Sequence, residues 1–175
     1  MDITGIDGAE FLSFDQSIVI GRYNNGGFRL SLNDIPEHDF LYISFDLLLH
    51  DSWDGNANGL DPDFPDLWTM EFNKDINING VIQPKFQTTF SSGPCDSQLC
   101  ATQSYPQTYP HLFNPNTGMD YLTWGACSAW FSSNATSVVK IQRTYEHSDK
   151  ALVIDFLTTF INLILLTRNV MRVGH

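Results

Sequence analysis

The sequence predicts an all-β protein, an antiparallel sandwich. Three observations predict it. Leu41, Ile43, Phe45, Leu47 and Leu49 alternate with Tyr42, Ser44 and Asp46, the period of two of a strand with one buried face. Turn signals separate a series of short β-branched or aromatic runs. The chain holds 13 Phe and is 13% aromatic, a composition suited to pleated sheet, and no 3.6-residue period runs over any long window.

Taken in order, Ser17–Gly21 is a β-branched run. Asn24-Asn25-Gly26-Gly27 is a tight-turn signal, and Phe28–Leu32 follows, so the two runs are expected to form a hairpin. The alternating strand over 41–49 runs into an acidic loop at His50-Asp51. Beyond it Trp68, Met70 and Phe72 alternate with Thr69 and Glu71. Asn77–Gly80 is a turn, and Lys85–Ser91 is a further strand anchored by Phe86 and Phe90. Residues 92–119, rich in Gly, Pro, Ser and Asn, read as a long irregular connection, which is unusual unless functional or pinned. Val138–Tyr145 and Ala151–Phe156 are two more strands, joined by Glu146–Lys150. The apolar stretch Ala151–Leu166 is short for a bilayer span and carries Asp155, so a strand, a turn and a final strand are expected there.

At 175 residues, with no repeat and no composition break, one domain over 1–175 is expected. The net charge of −11 argues against nucleic acid and against an anionic membrane surface. No basic and apolar leader is visible at Met1–Gly5. Cys95 and Cys100 lie close in a loop-like segment. They allow a local disulfide, which would imply an oxidising compartment, or two free thiols; Cys127 reads as a buried thiol. Asn134-Ala135-Thr136 is a formal glycosylation sequon.

The segment from Asp51 to Trp68 holds five carboxylates and two side-chain amides in a Gly/Asn/Pro-rich loop. No Lys or Arg lies between Arg29 and Lys74, although that interval carries half of the 20 acids. Crowded carboxylates repel unless water or a metal neutralises them, and hard oxygens in a turning loop suit Ca²⁺. Asp54-Gly55-Asn56-Ala57-Asn58-Gly59 matches the first half of the calcium-loop pattern, with the Leu60 carbonyl next in place. The usual acid at the twelfth position is Pro65, so Asp61, Asp63 or Asp66 would substitute, with Asp51 flanking. The other reading is a solvated acidic turn. Trp53 and Trp68 bracket the loop, as sugar-stacking faces or as core. His50 abuts it, but the remaining His show no zinc-ligand spacing. For hydrolysis, Glu71 and Asp75 sit at an even offset that could share a strand face. No nucleophile elbow, zinc-protease motif or phosphate-cradling loop occurs, so no enzyme is expected.

Several of these segments resemble a jelly-roll domain of secreted and cell-surface proteins of bacteria and protists, similar in architecture to the concanavalin A-like sandwiches. Phe11–Phe14 and Phe28–His38 are similar to its opening hairpin. Ile43–Leu47, Asp51–Asn56, Pro62-Asp63 and Asp66–Trp68 resemble its "FDL…DSWDGN…PDxW" core. Gln103-Ser104-Tyr105-Pro106 is similar to its "QSYP" loop, and Glu146–Ser148 with Leu152–Phe156 to its penultimate hairpin. The resemblance covers about 11–156. The stretch 157–175 departs from it, with Asn162–Thr167 where the family carries acids. It implies a non-catalytic module of larger secreted proteins that binds ions or glycans or acts in adhesion, with Asp51, Asp54 and Asn56 prominent. The leading expectation is an extracellular Ca²⁺-binding sandwich that binds a glycan or a cell-surface protein. The alternatives are a self-assembling module of a filament or sheath and a divergent glycoside hydrolase.

Overall fold

In the computed structural model the described residues are 2–14, 17–23, 25–50, 53–56, 65–78, 81–92, 95, 100–123, 136–159, 163–166 and 171–174. They form strands and connecting segments with no helix. In chain order the strands are β1 (Asp2–Asp7), β2 (Phe11–Phe14), β3 (Ser17–Tyr23), β4 (Gly26–Asn33), β5 (Phe40–His50) and β6 (Leu67–Ile78). There follow β7 (Val81–Thr89), β8 (Met119–Thr123), β9 (Thr136–Glu146), β10 (Leu152–Thr158), β11 (Leu163–Leu166) and β12 (Met171–Gly174).

Every pairing is antiparallel. One layer runs β1-β4-β10-β6-β7. The other runs β8-β9-β5-β11-β3-β2, with β12 beside β11 on the same edge of β5. Among the described residues one ladder position, Asn77 opposite Glu146, joins them. The layers face each other because each strand turns its apolar alternate residues inward. Phe28, Leu30 and Leu32 of β4, Leu152, Ile154 and Phe156 of β10, and Trp68, Met70 and Phe72 of β6 meet Leu41, Ile43, Phe45 and Leu47 of β5 and Val139 and Ile141 of β9. Ring contacts cross the interface: Phe45 to Phe156 at 5.7 Å, Phe45 to Trp68 at 5.9 Å and Phe72 to Tyr145 at 4.9 Å. The all-β antiparallel sandwich is thus the observed architecture.

Two expected hairpins are corrected. β3 and β4 do not pair: β3 lies between β2 and β11 in one layer, β4 between β1 and β10 in the other. The Asn25 turn carries the chain across the sandwich, and Tyr23 and Phe28 stack at 5.8 Å on either side of it. Likewise β9 and β10 belong to opposite layers, so residues 147–151 are a crossover and not a hairpin turn. Local turn chemistry specifies a reversal, but partner choice follows from burying the apolar face of each strand. Consecutive strands do pair at β2–β3, with Phe14 opposite Ser17, and at β6–β7, with Ile78 opposite Val81. The apolar tail is divided: β10 lies in one layer and β11 in the other. Among the described residues no helix is long and apolar enough to cross a membrane.

Candidate functional site

The acidic loop leaves β5 at His50 and enters β6 at Leu67. Asp51, Asn58, Leu60, Asp61 and Asp63 lie outside the described residues, as does Asn134. Trp53–Asn56 and Asp66 form the root of the loop. This root is tied to the connection after β7 by a two-way link: Trp53 N donates to Ser92 Oγ at 3.2 Å and Ser92 N donates to the Trp53 carbonyl at 3.1 Å. Asp54 then pairs with Ser91 in an isolated bridge.

Gly55 makes the next step possible. Its φ is +77°, and a Cβ there would lie 2.1 Å from the Thr102 carbonyl oxygen. Only glycine allows both the left-handed turn and that approach. Asn56 N consequently reaches Thr102 O at 2.8 Å. The Asn56 carboxamide is then used up inside the protein. Its Oδ1 accepts from Thr89 Oγ1 at 2.5 Å and from Ser104 Oγ at 2.6 Å, and its Nδ2 donates to the His111 carbonyl at 2.5 Å. A carbonyl oxygen has two lone pairs. Both are taken, so in this arrangement Asn56 is a clip between loop and connection.

Asp66 is the unusual group. It is 7% exposed, and its Oδ2 accepts the Asp54 N–H at 3.0 Å. Burial raises its pKa from 3.8 to about 6, with the Asp54 N–H acting to lower it and the Asp54 charge to raise it. Asp54 itself is exposed beside it. Two expected metal ligands, Asp54 and Asp66, therefore meet at the loop root. Among the described residues no group of three or more His, Cys, Asp or Glu side chains converges.

The expectation that Trp53 and Trp68 present sugar-stacking faces is also corrected. They are 1% and 0% exposed. Trp53 packs edge-on to Phe90 at 5.5 Å, and Trp68 is enclosed by Phe45, Phe86 and Phe90. Their rings anchor the loop root from beneath. Among the described residues neither indole N–H has a hydrogen-bond acceptor.

The connection after β7 carries residues whose role the sequence left unassigned. Gln103, 0% exposed, accepts from Ser91 N through Oε1 and donates through Nε2 to the carbonyls of Tyr105 and Thr117. Ser104 N donates to Thr89 Oγ1 at 2.8 Å, and Tyr105 N donates to Thr89 O at 3.1 Å. The peptides before Pro106 and Pro110 are cis. Arg143 lies 4.3 Å over the Phe86 ring and donates to Pro106 O at 2.6 Å, holding the connection against β7. The Gln-Ser-Tyr-Pro tetrapeptide was the one signal of this framework in the sequence. Cys95 and Cys100 are joined as a disulfide within the same connection.

Elsewhere, His38 and His147 meet despite a sequence separation of 109, with His38 Nε2 at 2.8 Å from His147 Nδ1. The Pro36 carbonyl can only accept, so it places the His38 proton on Nδ1. The contact between His38 Nε2 and His147 Nδ1 links the crossover to the turn before β5. Glu71 is exposed and stands opposite Asp155 and Lys85. The β6–β7 register shifts between Glu71 and Ile76, so period-two counting does not carry from Glu71 to Asp75. No protein-family model matches the chain, and no curated protein matches it.

Proposed function

We propose that this chain is a non-catalytic, extracellular β-sandwich module of the jelly-roll kind, whose 51–66 loop takes Ca²⁺ and presents the adjoining surface to a glycan or a cell-surface protein. The observation that supports it best is Asp66: a carboxylate 7% exposed, with its pKa raised to about 6 by burial, beside Asp54 at the root of a loop rich in acids. A divalent cation among these oxygens would remove the penalty that burial imposes on the charge. The Cys95–Cys100 disulfide supports a secreted or cell-surface location. The Asn56 clip, Gly55 and the two buried Trp give such a loop a rigid root, which lowers the ordering cost when a cation or partner binds.

The test is a thermal melt in EDTA, then in excess Ca²⁺, beside a Mg²⁺ control. A Ca²⁺-specific rise in Tm, lost in Asp54→Asn/Asp66→Asn, upholds the reading through linkage. A Tm indifferent to Ca²⁺ overturns it. The second reading, a self-assembling module, is favoured by Phe11 and Ile18, 61% and 73% exposed on β2 and β3. Concentration-dependent sedimentation that Ile18→Lys abolishes would support it.

A further inference from the structure

On the outward face of the first layer, one row of directly opposed residues crosses five strands: Asp7, Arg29, Asp155, Glu71 and Lys85. Arg29, 55% exposed, donates through Nε and Nη2 to both oxygens of Asp155, at 2.7 and 2.8 Å. The neighbouring row lacks a side chain at Gly27, which lies opposite Leu157. β4 and β10 approach so closely there that a Cβ on Gly27 would fall 1.7 Å from the Phe156 carbonyl oxygen. Gly8, with φ +75°, turns against the Gly27 carbonyl, where its own Cβ would lie at 3.3 Å. Both glycines are thus demanded by the backbone, and together they leave an open trough of about 290 Å³ walled by Asp7, Arg29, Asp155 and Leu157.

We propose that this trough is a binding site for a neutral sugar, seating one pyranose ring between Leu157 and the Arg29–Asp155 pair. A hydroxyl both donates and accepts, and this wall offers both. Arg29 has further N–H donors beyond the two that Asp155 uses, and each Asp155 oxygen has a second lone pair. Adjacent hydroxyls match the spacing of such a planar pair. Asp7 adds acceptors at the other side. Two carboxylates around one guanidinium disfavour phosphate and carboxylate ligands, while the guanidinium disfavours a bare cation. Leu157, 40% exposed, gives the C–H face of a ring an apolar seat. The volume falls just under the size, about 300 Å³, at which small-molecule sites begin, as suits a shallow seat for a single ring. The inference rests on the glycan branch of the proposed function, moves it away from the buried Trp53 and Trp68, and needs no Ca²⁺.

The test is amide chemical-shift mapping on the full chain in EDTA. Glucose, galactose, mannose and N-acetylglucosamine are titrated to about 100 mM, enough to populate a site of millimolar Kd, with sulfate as control. The expected result is saturable shifts of Gly8, Gly27, Arg29, Asp155 and Leu157 with at least one sugar and none with sulfate. Arg29→Met should weaken binding by about tenfold or more through loss of the charged donor. Leu157→Glu, which keeps the Arg29–Asp155 pair but fills the trough, should do the same and carries the test alone if Arg29→Met does not fold. Unchanged Kd in a folded variant overturns the site. Shifts confined to residues 53–56 overturn it while retaining the glycan reading. No shifts with any sugar overturn both and leave the Ca²⁺ reading to its own melt.

Discussion

Replacing Asp66 by Asn isolates the one strongly perturbed carboxylate at the loop root. In the folded chain its pKa is raised from 3.8 to about 6, chiefly by burial. The native state therefore holds this proton to higher pH than the unfolded chain does. Between pH 3.8 and about 6 the folded form binds more protons, so the contribution of Asp66 to stability falls as pH rises, and the full penalty is present above about 6. A shift of that size corresponds to about 3 kcal/mol. For a chain of this length that amounts to a difference of about 6–12 °C in Tm. Asn keeps the oxygen that accepts the Asp54 N–H but cannot ionise. It adds a constant offset from its amide donors, so the readout is the pH dependence of the difference between variant and wild type. In EDTA that difference should swing by about 3 kcal/mol in favour of Asp66→Asn between pH 3.5 and 7.5. Urea unfolding at a series of pH values measures it. A difference that stays flat with pH would show that Asp66 is solvated in the folded state and would refute the reasoning. With excess Ca²⁺ at pH 7.5 the swing should shrink, because a bound cation favours the charged carboxylate.

Two further outcomes follow from packing. Asn56→Ala removes the acceptor shared by the Thr89 and Ser104 hydroxyls, both residues being 0% exposed; the Thr89 hydroxyl loses its acceptor in the interior, while Ser104 Oγ keeps the His111 carbonyl at 3.2 Å. A loss of about 1–3 kcal/mol is expected in urea unfolding, whether or not Ca²⁺ is present. Trp68→Ala should cost about 3–5 kcal/mol, whereas Trp68→Phe should cost less than about 1.5 kcal/mol, since the indole N–H it deletes has no acceptor among the described residues. A large loss in Trp68→Phe would point to an acceptor for that N–H.

The strands were legible because burial and backbone period are local. The pattern over 41–49 reappears as β5, and the alternation at 68–72 as the first part of β6. β1 and β8 were not anticipated from period, since Asp2–Asp7 and Met119–Thr123 are short and mix polar with apolar residues. The acidic loop was legible as a concentration of charge, and Asp54 and Asp66 do meet at its root. What the pattern could not show was the direction of each side chain. Asn56 has the residue type and spacing of a ligand, yet its carbonyl oxygen faces two hydroxyls supplied by β7 and by the connection beyond it. Trp53 and Trp68 flank the loop in sequence but are buried in the core.

By itself the sequence determined the all-β class, the reversals of the chain, and the placing of an acidic segment between two core strands. These depend on alternation and turn chemistry, which act over a few residues. The tertiary structure alone decided which strands pair, sending β3 and β4, and β9 and β10, to opposite layers. It also decided that Asn56 closes a clip, that His38 finds His147, and that Asp7, Arg29 and Asp155 stand in one row above a trough. Those arrangements depend on contacts between residues distant in the chain. Partner choice is made by the joint burial of whole apolar faces, and no local pattern contains it.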